Sequence, residues 1–152
     1  MIAAYDGTGF KIVLLLHILT VLVAFSPSFV HPLLTRQTTG FDATNRGKIL
    51  GLFAGNGRRI YAPALIVAGL FGFALQGMSD GVIEFSQTWF WLAVVVWVAM
   101  NGLLHAMLLP AERALADGDE SAAKKLDTAG MIMTVLLLVM LYLMVFRPGM
   151  PG

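Results

Sequence analysis

Apolar positions in this chain gather into four long runs, over residues 10–34, 60–77, 88–109 and 128–146. Each is close to the ~20 residues with which a helix crosses a ~30 Å hydrocarbon core. The pattern predicts an all-α, polytopic membrane protein, a four-transmembrane-helix bundle that forms a single membrane domain over residues 1–152. Breaks between the runs follow ordinary helix grammar. Pro27 and Pro32 are expected to kink or end the first helix. Asp42 or Thr44 is a cap for a short helix through Ile49, Leu50, Leu52 and Phe53, suited to the inner membrane surface. Gly55-Asn56-Gly57 is expected to break that helix before Arg58 and Arg59 enter the second span. Pro110 is expected to close the third, leaving residues 112–127 as a charged loop.

Composition agrees with lipid as the solvent. The chain is 58% hydrophobic and 12% charged, against roughly 25% charged residues in a soluble domain. A net charge of +1 argues against a nucleic-acid partner. With no cysteine, disulfides, thiolate nucleophiles and iron–sulfur clusters are excluded. The first run is too long and too weakly basic at its start for a signal peptide and reads as a retained helix.

Charge also predicts orientation. Arg36, Arg46, Lys48, Arg58 and Arg59 follow the first run, and Arg113, Lys124 and Lys125 follow the third; the opposite side carries only Lys11 and Arg147. The positive-inside rule puts both basic connections in the cytoplasm and both termini outside. Trp89 and Trp91 form an expected interfacial anchor, and Ala64, Ala68 and Gly72 a small-residue packing face on the second helix.

Ionisable groups inside a span are functional candidates by default. Here they are His17, His31 and His105, with Asn101 one turn before His105 on the same face. At ~1.5 Å per residue, His17 and His105 differ in depth by roughly 15 Å, so they do not share one metal atom. His17 has two readings: an imidazole bonded to a carbonyl or to Thr20, or a ligand to a cofactor. His105 and His31 have the same pair of readings, a satisfied interfacial group or a metal ligand. Arg58 and Arg59 either contact lipid phosphate or clamp an anionic group such as a propionate.

The run Lys11-Ile12-Val13-Leu14-Leu15-Leu16-His17, the His17–Pro32 spacing, Arg58-Arg59-Ile60-Tyr61-Ala62-Pro63-Ala64-Leu65 with Gly72, His105 late in helix 3, and a closing Arg147-Pro148 carry a resemblance. Together they resemble a set of small four-helix bacterial membrane proteins: the J-type protoporphyrinogen oxidase, the copper-resistance D-type proteins and a related uncharacterised family. Ala24-Phe25-Ser26-Pro27 stands where those families carry Trp-x-x-Gly. Trp91-Leu92-Ala93-Val94 lacks the oxidase's early lysine, which puts the chain nearest to the uncharacterised group. The resemblance implies a bacterial inner-membrane protein and, through its oxidase members, haem b as a cofactor; on that reading His17 is an axial ligand or porphyrin contact, His105 a second candidate haem ligand, and Arg58 and Arg59 offset propionate charge.

Three functions are therefore carried forward. The first is a haem- or porphyrin-binding redox protein. The second is a non-catalytic subunit, within a homo-oligomer or a larger membrane complex. The third is a small metal-handling or transport protein using His31 and His105, with Asn101 beside them.

Overall fold

The computed structural model describes residues 5–37 and 40–149, apart from the side chains of residues 29, 31–36 and 43. Helix α1 spans Thr8–Gln37 and α2 spans Ala43–Asn56. A π-helical turn, π1 (Gly57–Tyr61), joins α2 to α3 (Ala62–Gly77). Helix α4 (Thr88–Leu103) runs through a second turn, π2 (Leu104–Leu108), into α5 (Leu109–Ala116), and α6 spans Ala122–Phe146. Among the described residues there is no strand. Four helical stretches are long and apolar enough to cross a membrane: Thr8–Ser28, Thr44–Gly77, Thr88–Ala116 and Ala122–Phe146.

Contacts between helices fix their direction. Tyr5 meets Asp80 and His17 meets Ala68, so α1 and α3 are antiparallel. Phe73 meets Phe90, and Leu65 meets Trp97, so α3 and α4 are antiparallel too. Helix α6 packs along α4, while α1 and α6 approach each other at few backbone positions. The bundle is thus an incomplete ring in the order α1, α3, α4, α6.

Its core has three layers. Phe25, Leu65, Met100, Met133 and Leu137 form the middle one. Leu50, Ala111, Leu115, Ala122 and Leu126 close the end rich in basic residues, joining α2, α5 and α6. Ile83, Trp89, Phe90, Ala93 and Leu143 close the opposite end. Trp89 is buried there, with the Arg147 guanidinium 5.8 Å from its ring centroid; Trp91 alone of the expected anchor pair is exposed. Outward positions remain apolar, with Leu22 62% and Val145 72% exposed. Water would penalise that surface, whereas hydrocarbon does not.

Four prolines, Pro27, Pro32, Pro63 and Pro110, lie inside helices that continue past them, so α1 does not end at Pro27 or Pro32. A proline removes its own N–H and crowds the carbonyl four residues back. At Pro27 the freed carbonyl belongs to Val23, and Ser26 Oγ donates to it at 2.9 Å. At Pro63 and Pro110 the solution is a wider turn. Each proline stands six residues after the first residue of a π turn. The residue before each reaches back five positions, Ala62 N–H to the Gly57 carbonyl and Leu109 N–H to the Leu104 carbonyl. The extra residue in the turn makes room for the ring. Helix continuity therefore replaces both the expected break at Gly55-Asn56-Gly57 and the expected stop at Pro110. The Asp42 cap is present: its carboxylate accepts from Asn45 N at 3.0 Å and from the Asn45 side chain at 2.6 Å. Those two bonds, the backbone one foremost, hold its carboxyl below the usual range.

Close approach of α3 to α4 depends on Gly69, where a Cβ would lie 2.2 Å from Trp97 Cε2. Gly102 faces open space. Gly69→Ala is expected to lower thermal stability in detergent, since overpacking against a fixed indole costs about 1–3 kcal/mol and the helix-propensity gain of alanine returns only about 1 kcal/mol. Gly102→Ala should leave the midpoint unchanged or raise it.

Candidate functional site

Two nitrogen donors from neighbouring helices reach into the backbone of α3. His17 Nδ1 lies 2.8 Å from the Ala68 carbonyl oxygen, and Trp97 Nε1 donates to the Leu65 carbonyl at 2.8 Å. A carbonyl only accepts, so Nδ1 carries the proton and Nε2 is the free nitrogen of the neutral ring. These two carbonyls are reachable for a local reason. In a helix the Cβ tilts toward the N-terminus, so the side chain at i+4 overhangs the carbonyl of residue i. The residues four beyond Leu65 and Ala68 are Gly69 and Gly72. Neither has a side chain to shield the oxygen. Gly72 abuts the imidazole, with a Cβ there falling 3.6 Å from His17 Cε1. Thr20, the alternative partner, instead donates to the Leu16 and His17 carbonyls.

The remaining sequence candidates are dispersed. Arg58 and Arg59 are exposed on π1, and His105 is exposed on π2. Asn101 donates to the Trp97 carbonyl at 2.9 Å, while its buried Oδ1 has no hydrogen-bond partner among the described residues. The side chain of His31 lies outside the described residues. No group of three His, Asp or Glu side chains suited to a metal occurs among the described residues.

The structure gathers a different set. A cavity of about 300 Å³ lies between α1, π1, π2, α5 and α6. Phe25 and Ser28 line it from α1, Gly57 and Tyr61 from π1, Leu104 and Leu108 from π2, and Asp127, Gly130, Met133 and Thr134 from α6. Glu112 enters it from α5. None of His17, His105, Arg58, Arg59 or Asn101 contributes to its wall. Glu112 Oε2 is buried and has no hydrogen-bond partner among the described residues. A Cβ on Gly57 would stand 2.8 Å from that oxygen and 2.8 Å from Leu109 Cδ2. Gly57 therefore opens the space the carboxyl occupies. Nearby, Arg46 pairs with Glu120 at 2.6 Å and ties the start of α2 to the α5–α6 turn.

Glu112 escapes the sequence reading because Pro110 looks like a helix stop. One signal does point to it. Leu104, Leu108, Ala111 and Leu115 keep helical spacing through the proline. That periodicity continues the helix by two turns and carries Glu112 into the bundle.

Comparison with protein-family models, curated proteins and solved structures finds no match.

His17→Leu is expected to lower the unfolding free energy in detergent by about 1 kcal/mol, the range of interhelical bonds in membrane proteins, and Arg58→Ala to leave it unchanged. Thermal unfolding of the two variants side by side checks the contrast.

Proposed function

We propose that this chain is a ligand-binding protein of the bacterial inner membrane, of the small transport or ligand-handling type. Its binding site is the cavity at the basic end of the bundle. The basic connections after the first and third spans support a cytoplasmic position for that end and an outer position for both termini. One observation carries the reading: Glu112 places a buried carboxylate oxygen, unpartnered among the described residues, on a cavity of about 300 Å³. A carboxylate held away from water costs several kcal/mol unless something pairs with it. That cost is tolerated where the group acts on a ligand. Glu112 gives the transport reading a carboxyl at the basic end of the bundle. Two π turns border the same cavity, and such turns recur at functional sites.

A second reading, a b-type haem or porphyrin protein, has one observation in its favour. His17 donates Nδ1–H to a backbone carbonyl, the arrangement in which metal-ligating histidines commonly stand. Nε2 is then the nitrogen that would face the metal, and haem bound there would supply redox chemistry. The cavity does not touch His17. The pocket and a second axial ligand would come from another copy of the chain or from a partner.

Dicyclohexylcarbodiimide, an apolar reagent for carboxyls reached from the membrane, is expected to modify Glu112 ahead of the water-facing Asp6, Asp80 and Glu84, as read by peptide mass spectrometry. An inert Glu112 in the folded protein, reactive only after unfolding, rejects the cavity as a ligand site. Oxidised and reduced absorption spectra of the same preparation decide the haem reading: a Soret band lost in His17→Ala supports it, and a colourless folded protein counts against it. A protein that fails both tests but co-purifies with larger membrane proteins supports the third reading, a non-catalytic subunit of a larger complex.

A further inference from the structure

We infer that the ligand of this cavity is a small organic cation, a protonated amine on an apolar body, admitted from the lipid between α1 and α6. The inference rests on the cavity reading above and adds the chemical class of the ligand and its route.

Charge selects the class. Glu112 and Asp127 line the cavity, and no Lys, Arg or His is among the described lining residues. An anionic ligand would meet two carboxylates and no counter-charge. A neutral ligand could donate a hydrogen bond to Glu112 Oε2 but would bring no charge to offset the two lining carboxyls. A bare metal ion is disfavoured by ligand number. Calcium takes about 6–8 oxygen ligands and structural zinc about four ligands, whereas no group of three suitable side chains occurs among the described residues. One buried carboxylate oxygen in a largely apolar wall matches an ammonium with a hydrocarbon body. The cavity, about 300 Å³, is at the small end of organic-ligand sites. Phe25 and Tyr61 add aromatic walls of the kind that attract organic cations.

Packing selects the route. Helices α1 and α6 both line the cavity; they share the middle core layer through Phe25, Met133 and Leu137 but approach each other at few backbone positions. Asp127, Met131 and Thr134 follow one another at helical spacing, line the cavity and are exposed. They form the lip of a gap that opens sideways rather than through the outer end, which the Ile83, Trp89, Phe90 and Leu143 layer closes. At the lip Asp127 offers an exposed carboxylate to an arriving cation, and Glu112 holds it inside.

Benzyldimethylammonium, which carries one N–H, is the probe, with benzoate as the anionic control, in titration calorimetry and in protection of Glu112 from dicyclohexylcarbodiimide. The cation should bind and slow the labelling, and benzoate should do neither. Glu112→Gln should weaken cation binding by about tenfold or more, and Asp127→Asn by a smaller factor. Should Glu112→Gln fail to give a folded protein by circular dichroism and gel filtration, Met131→Trp at the lip keeps the carboxyl and should slow the protection without removing it. Labelling of Glu112 that no cation slows overturns the cation inference and leaves the cavity reading standing. No labelling at all removes both. Equal protection by benzoate, or unchanged affinity in Glu112→Gln, likewise overturns the cation class.

Discussion

Inside hydrocarbon a polar N–H has no water to fall back on, and this bundle is organised around that restriction. The indole of Trp97 and the imidazole of His17 each bring a donor to a helix interface that is otherwise apolar. The acceptors are backbone carbonyls of α3 already engaged in the helix, using their second lone pair. For a donor on a neighbouring helix, such a carbonyl is most open where the residue four positions on lacks a side chain. Gly69 and Gly72 meet that requirement on two sides of α3, one toward α4 and one toward α1. The same two glycines let the neighbouring helices come close enough for the donors to reach. Hydrogen bonding and packing are here one constraint, and α3 is the element both neighbours are referred to.

The prolines act at the other level of organisation, the continuity of the helices. Ser26 replaces the missing donor at Pro27, and π turns make room at Pro63 and Pro110. In water a helix at such a position commonly ends, because solvent takes over the freed carbonyl. In lipid ending the helix would strand several backbone groups, so widening one turn is the less costly outcome. The two wide turns sit across from each other around Gly57 and Glu112. Both wide turns thus contribute to the wall of the cavity.

Much of this was legible in the residues. The four spans were, because a helix in lipid needs a fixed length of apolar sequence. The Asp42 cap was, because capping is decided by neighbours three residues away. The carbonyl-bound state of His17 was among the readings drawn from burial cost alone. The small-residue face was legible only in part: Ala68 is buried and Gly72 meets His17, but the tightest approach is at Gly69, outside the four-residue spacing. Spacing reports a helix face, whereas exposure of a carbonyl depends on one position four residues on. Glu112 was not legible, because its placement depends on whether α4 passes Pro110. Rules learned from helices in water give the wrong answer there. Nor does one chain's sequence say which surfaces meet in space, and only the fold separates Glu112 from Arg58, Arg59 and His105.

The incomplete ring has a consequence for biosynthesis. Helices α1, α3 and α4 are synthesised before α6, and their mutual contacts do not need it. The wall that α6 gives the cavity, from Asp127 to Thr134, arrives last. Without α6 the cavity has no wall on that side. The last span to be synthesised therefore does more than add a helix: it supplies one side of the cavity, so the cavity takes its shape only when translation of the bundle is complete.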